Sequence, residues 1–223
     1  MIPWELLESA PVPGGSETLH LYRRDTEFSI RVDGCELMNS RVHGSEDALA
    51  ERVCASLSPH PSPRVLIGGL GMGYTAAAAL QNLGDKAQVV VAELVPAVIA
   101  WNKGPLAHLA GHPLADSRMT VREIDVALII KAEQQGYDAI ILDVDNGPDG
   151  LTRSGNDWLY GRAGLTAARA ALKPSGMLAV WSASPDPAFS KLLRQTGFLV
   201  EEITVRARGA KGGRRHTIWL AKN

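Results

Sequence analysis

RVLIGGLGMGYTAAAALQNL, residues 64 to 83, is the stretch on which the fold of this chain turns. A short apolar run, RVLIG, meets three alternating glycines, Gly69, Gly71 and Gly73, and these open an alanine-rich segment of helical character. Strand, glycine turn and helix in that order make the opening unit of an α/β sheet. Glycines let the backbone pass close beneath a ligand and take φ values closed to other residues. A dinucleotide site wants G-x-G-x-x-G, and Tyr74 stands in the last glycine place. The G-x-G-x-G form suits a nucleoside without a pyrophosphate; a tight turn with no ligand is the competing reading.

The alternation continues downstream. AQVVVAEL (87 to 94), MTVREI (119 to 124), YDAIILDV (137 to 144) and GMLAVWSA (176 to 183) read as strands. Between them lie the helical segments VPAVIAWNKG, DVALIIKAEQQ and GNDWLYGRAGLTAARAALKP. Continuous Val/Ile/Leu runs between helices are what a parallel sheet covered on both faces requires. After the helix PDPAFSKLLRQTG, two β-rich segments, FLVEEITVRA and HTIWLAKN, flank the basic loop RGAKGGRR and predict an antiparallel hairpin. A mostly parallel seven-stranded sheet closed by such a hairpin is the order of the Rossmann-like class I methyltransferase fold.

Upstream the pattern differs. TLHLYRR, EFSIRVDG and CELMNS, about residues 17 to 40, alternate as strands of a small antiparallel β-meander. Ser45 to Leu57 has helical spacing, with Ser45 as an N-cap and acids in the first turn. Proline-rich SPHPSP, residues 58 to 63, ends it. The division expected is therefore a β-rich piece with a linking helix over 1–58 and a Rossmann-like nucleoside-binding domain over 59–223.

The chain has 223 residues and a net charge of −1, so long-range electrostatics draws it neither to nucleic acid nor to an anionic membrane. No apolar run approaches the roughly 20 residues that span a bilayer, and the first residues lack the pattern of a signal peptide. Cys35 and Cys54 make a poor disulfide framework and suit a reduced cytoplasm. The scattered histidines predict no metal.

In open α/β sheets ligands bind beyond the carboxyl ends of the strands, so the residues that end each strand carry the function. Glu93, twenty residues after Gly73, can accept both hydroxyls of a ribose. Asp125 follows the next strand and can accept an adenine amino group, or else cap the helix after it. Asp143, Asp145 and Asn146 belong to LDVDNGPDG, an acidic loop over the glycine turn. Carboxylates so close together raise each other's pKa, so this loop asks for a cationic ligand. Trp158 and Tyr160 can wall a cation or pack the core.

With these residues in place the chain resembles the spermidine synthase (aminopropyltransferase) family over most of its length. Phe28, Ile30, Val32, Asp33 and Gly34 match an F-x-I-x-V-D-G run before the Rossmann domain. Residues Gly69 to Thr75 meet the family's G-G-G-D-G-G-T turn, Glu93 its ribose-binding acid and Asp125 its adenine-side acid. Tyr137 to Gly147 meet its Y-D-x-I-x-x-D-x-x-D-P segment, which assigns to Asp143 the orientation and deprotonation of an attacking amine. The resemblance implies decarboxylated S-adenosylmethionine or S-adenosylmethionine as cofactor, a small amine as acceptor, and a homodimer. It also departs from the family. Met72 replaces the acid that faces the aminopropyl ammonium, Asn146 replaces the second polyamine-binding acid with Asp145 beside it, and the family's helix tyrosine falls near Leu49.

Three readings follow. The first is aminopropyl transfer, or a close relative, to a small amine. The second is methyl transfer from S-adenosylmethionine, favoured by Met72. The third is a non-catalytic nucleoside-binding or interaction module on an eroded transferase fold. The basic loop from Arg206 to His216 reads as a solvated hairpin tip, with contact to an acidic partner or RNA as the competing reading.

Overall fold

The computed structural model describes residues 2–57, 60–144 and 157–223, leaving aside the side chains of Asp157 and Lys211. Four antiparallel strands come first: β1 (Glu5–Pro11), β2 (Thr18–Arg24), β3 (Glu27–Val32) and β4 (Cys35–Asn39), paired in that order. The meander therefore has one strand more than its sequence pattern indicates. In β1 Ala10 is the one fully buried position, so the strand carries almost no apolar alternation to read.

Helix α1 (Gly44–Leu57) follows and buries Leu49, Val53 and Leu57 along one face. It begins at Gly44, so Ser45 lies inside the first turn and is not its N-cap. Its position is fixed by close backbone approach. A Cβ on Gly44 would lie 2.5 Å from the Gly209 amide nitrogen, and the Gly44 N–H donates to the Ala207 carbonyl at 2.9 Å.

The second sheet holds β5 (Arg64–Gly68), β6 (Gln88–Glu93), β7 (Met119–Glu123), β8 (Tyr137–Leu142), β9 (Leu172–Ser182), β10 (Leu199–Arg206) and β11 (Arg215–Lys222). Their spatial order is β10-β11-β9-β8-β5-β6-β7, parallel from β9 to β7, with β11 antiparallel to both of its neighbours. This is the Rossmann-like class I methyltransferase order. Every residue of β8 is buried, as a central strand covered on both faces must be.

Helices α2 (Tyr74–Asn82), α3 (Pro96–Lys103), α4 (Val126–Ala132), α5 (Asp157–Tyr160), α6 (Arg162–Ala171) and α7 (Pro187–Gln195) cover the sheet. The long helical segment before β9 is broken into α5 and α6 at Gly161, whose ψ of 169° is extended. One cluster of buried side chains runs from Leu21 and Ile30 of the small sheet through Leu49 and Val53 of α1 to Val65 and Ile67 of β5. The chain turns from β5 outward to β6 and β7, then returns to place β8 on the other side of β5. That reversal opens the crevice in which α/β sheets bind ligands.

Candidate functional site

The glycine turn leaves β5 between its two neighbours. The Gly69 N–H donates to Ala92 O of β6 at 2.9 Å, and Gly68 O accepts the Asp143 N–H beyond β8 at 3.0 Å. Gly69, Gly71 and Gly73 have φ of 87°, 53° and 85°, all in the left-handed region. Gly69 is the most constrained: a Cβ there would lie 2.3 Å from the Asp143 carbonyl oxygen. The turn therefore passes directly against the backbone that carries Asp143.

Glu93 ends β6 beneath the turn and is 8% exposed. Its Oε2 accepts the Leu70 N–H at 2.9 Å and its Oε1 the Val95 N–H at 2.8 Å. Burial pushes the carboxyl pKa up, against the pull of backbone N–H groups of Val95, Leu70, Leu94 and Gly71. Glu93 thus clasps the turn in addition to facing the cleft, a role its place at a strand end does not announce. An ionised carboxylate has about four acceptor positions, so both roles are chemically compatible. Asp125 also does two things. Its Oδ1 accepts the Ala127 N–H at 2.8 Å, capping α4, and the residue lines the cleft.

Gly69, Gly71, Glu93, Asp125 and Asp143 line one cavity of about 150 Å³. Leu19, Ile30 and Val32 of the small sheet close it from the opposite side, with Met38 of β4 beside Gly71. The N-terminal sheet is therefore an apolar wall of the cleft.

Asp143 also lines a second, adjoining cavity of about 70 Å³, together with Glu46 of α1, Met72, Thr75 and Trp181. Asp143 Oδ2 accepts the Thr75 hydroxyl at 2.5 Å. Burial raises the Asp143 pKa, and the Thr75 bond opposes the rise. Glu46 is raised to about 7, first by burial and then by the Asp143 charge. Two carboxyls facing one small space do not ionise independently, and the charge of one opposes ionisation of the other. Sequence reasoning missed Glu46, because an acid in the first turn of a helix reads as a complement to the helix dipole. Met72, 3% exposed, brings a thioether to this cavity and no charge.

The two aromatic candidates lie elsewhere. Trp158 and Tyr160 are not among the described residues lining either cavity. Tyr160 is buried, donates to the Val144 carbonyl at 3.1 Å and packs edge-on to Phe189. Trp158 has the Lys131 ammonium 4.0 Å from its ring centroid. Asp145 and Asn146 fall outside the described residues. His216 departs from the solvated tip expected of the basic loop: its Nδ1 bonds Ser45 Oγ at 2.9 Å. Cys54 is buried, its thiol pushed up to about 12 by that burial, whereas Cys35 is exposed. Among the described residues no group of three His, Cys, Asp or Glu is placed to hold a metal ion, and no helix is long and apolar enough to cross a membrane.

The fold places the chain among structures of the class I methyltransferase type. A Burkholderia thailandensis 1,6-didemethyltoxoflavin-N1-methyltransferase, solved with S-adenosylhomocysteine and 1,6-didemethyltoxoflavin, is similar at a TM-score of 0.52 and 20% identity over 80% of each chain. Within that class the likeness to spermidine synthases is greater. The Thermotoga maritima spermidine synthase matches at a TM-score of 0.74 and 18% identity, over 97% of this chain and 72% of that one. A spermidine synthase in complex with the transition state analogue AdoDATO gives the same values. A probable spermidine synthase from Corynebacterium glutamicum matches at 0.69 and 14%, over 98% and 80%. No protein-family model and no curated protein matches the chain. What is shared is the fold, and the spermidine synthase matches extend over 97 to 98% of this chain.

Proposed function

We propose that the protein is a spermidine-synthase-like transferase that moves an alkyl group, aminopropyl in the first instance, from an adenosyl sulfonium nucleoside to a small amine at Asp143. One observation carries the reading: the glycine turn, Glu93, Asp125 and Asp143 arrive from four strand ends and line a single cavity. Gly69 and Gly71 line the cavity that takes the nucleoside, Glu93 takes the ribose hydroxyls, and Asp125 takes the adenine amino group. The apolar wall from the small sheet excludes water. Bound there, the sulfonium supplies an activated carbon and a neutral thioether as leaving group.

The residues of the chain have two tasks. The first is alignment of amine and nucleoside, worth about 7 to 11 kcal/mol in favourable cases. The second is delivery of a neutral nucleophile. An alkylamine with a pKa of about 10 is protonated at pH 7. Asp143 binds that ammonium and takes up its proton, a step worth roughly 10² to 10⁴-fold in rate.

Methyl transfer is the second reading, and Met72 favours it. A thioether at that position does not repel the carboxylate of intact S-adenosylmethionine, as an acid would. The test is to incubate the protein with putrescine and each of the two sulfonium nucleosides and to weigh the products. An aminopropylated amine supports the first reading and a methylated product the second. Nucleoside binding with no product on any amine leaves only a binding module and overturns both.

A further inference from the structure

The inner cavity has a hydrogen-bond donor with nothing to bond. Trp181 of β9, 8% exposed, lines it beside Glu46 and Asp143, and its indole N–H finds no partner among the described residues. The imidazole of His216 lies edge-on to this indole with centroids 4.8 Å apart, and its Nδ1 is engaged by Ser45 Oγ at 2.9 Å. A buried N–H without an acceptor is costly, and a ligand atom that accepts from it recovers that cost.

The acids of the cavity make the opposite demand. Glu46 Oε2 accepts the Ser45 hydroxyl and Asp143 Oδ2 the Thr75 hydroxyl, each at 2.5 Å. A carboxylate has about four acceptor positions, so both keep room for a donor on a ligand. Asp143 lines both cavities and stands where they join. The amine of an acceptor belongs there, next to the nucleoside, and the rest of the molecule extends toward Glu46 and Trp181. Its far end meets a carboxyl that accepts and an indole that donates. We propose that the acceptor is a compact amino alcohol, with its amine at Asp143 and its hydroxyl donating to Glu46 while accepting from Trp181, an inference that rests on the transferase reading given above.

A hydroxyl is a small group that both donates and accepts. An ammonium donates only, so the second nitrogen of a diamine satisfies Glu46 and leaves the Trp181 N–H unmet. A carboxylate would meet Trp181 and be repelled by both acids. The charges agree with this choice. Burial and then the Asp143 charge raise Glu46 to about 7, so near neutral pH a single ammonium balances the pair. The volume of about 70 Å³ and the side chains of Leu37, Met38 and Met72 suit a short methylene chain.

Matched amines test the site. Aminobutanol and putrescine differ in the far group alone, and butylamine lacks one. Calorimetry with each amine, on the full chain with and without saturating methylthioadenosine, should show aminobutanol bound about ten- to a hundredfold more tightly than putrescine or butylamine. Aminopropanol should lead diaminopropane in the same way. Trp181→Phe keeps a ring and removes the donor, and should bring aminobutanol close to parity with putrescine. Putrescine bound as tightly as aminobutanol in the wild type, a preference that survives intact in a folded Trp181→Phe variant, or no binding of any of these amines overturns the proposal. Where the variant does not fold, the wild-type order decides. Amines bound in the expected order by a protein that does not bind methylthioadenosine would remove the transferase reading and leave the amino alcohol site standing.

Discussion

Thr75 and Asp143 are 68 residues apart in sequence, and the Thr75 hydroxyl donates to Asp143 Oδ2 at 2.5 Å. The first turn of α2 thus orients the acid that follows β8, joining the helix after the glycine turn to Asp143 through one bond. Asp143→Asn should keep nucleoside binding within a few-fold and lower turnover by roughly 10² to 10⁴-fold. Thr75→Val removes the bond that opposes the raised pKa of Asp143, so the acidic limb of the pH–rate profile should move to higher pH. Unchanged profiles would take Thr75 out of the site.

Stability should fall as pH rises from about 4.5 to about 7. The folded protein holds the Glu46 proton more tightly than the unfolded chain, whose glutamate titrates near 4.5. Stability linked to Glu46 is therefore fully present below that value and lost as pH climbs through about 7. Glu46→Gln should flatten the slope in a denaturant series and raise stability at pH 8, by at most about 2 to 3 kcal/mol because the residue keeps some contact with solvent.

Gly69→Ala should damage both fold and cleft. The new methyl would meet the Asp143 carbonyl at 2.3 Å with φ at 87°, and neither group is free to move. A loss of about 2 kcal/mol or more is expected in thermal or urea unfolding. Nucleoside affinity should drop in the same protein.

Asp138, the second residue of β8, has a structural task. Its Oδ2 accepts the Arg64 N–H and the Lys173 ammonium, each at 2.7 Å, tying β8 to the first residue of β5 and to β9. Burial opposes its ionisation, yet the Arg64 N–H and Lys173 together hold its pKa below the ordinary value. That stabilisation is present above about pH 4 and lost as pH falls through the depressed pKa. Asp138→Asn should cost about 1.5 to 3 kcal/mol at pH 7 and leave nucleoside affinity unchanged.

The parts legible in the sequence are those with a local signal. RVLIG and YDAIILDV are apolar runs that occur between helices, and they became adjacent central strands β5 and β8. Glu93 and Asp125 were visible because each follows its strand in order. What escaped depends on packing between distant segments. Strand β1 is an edge strand with one buried side chain, so it has no pattern to read. Glu46 and His216 acquire their surroundings only when α1 docks against α2 and the β10–β11 connection. The aromatic pair Trp158 and Tyr160 could not be divided by sequence, since a ring that walls a cation and one that packs a core have the same composition.

Calorimetric titration of methylthioadenosine into the wild-type protein and into Glu93→Ala, with NAD as control, bears most directly on the cleft. Saturable one-to-one binding to the wild type, weakened at least tenfold in a folded Glu93→Ala variant, is the expected result. Absence of heat with methylthioadenosine and both sulfonium nucleosides, or equal affinity for NAD, would contradict a cleft built for adenosyl nucleosides.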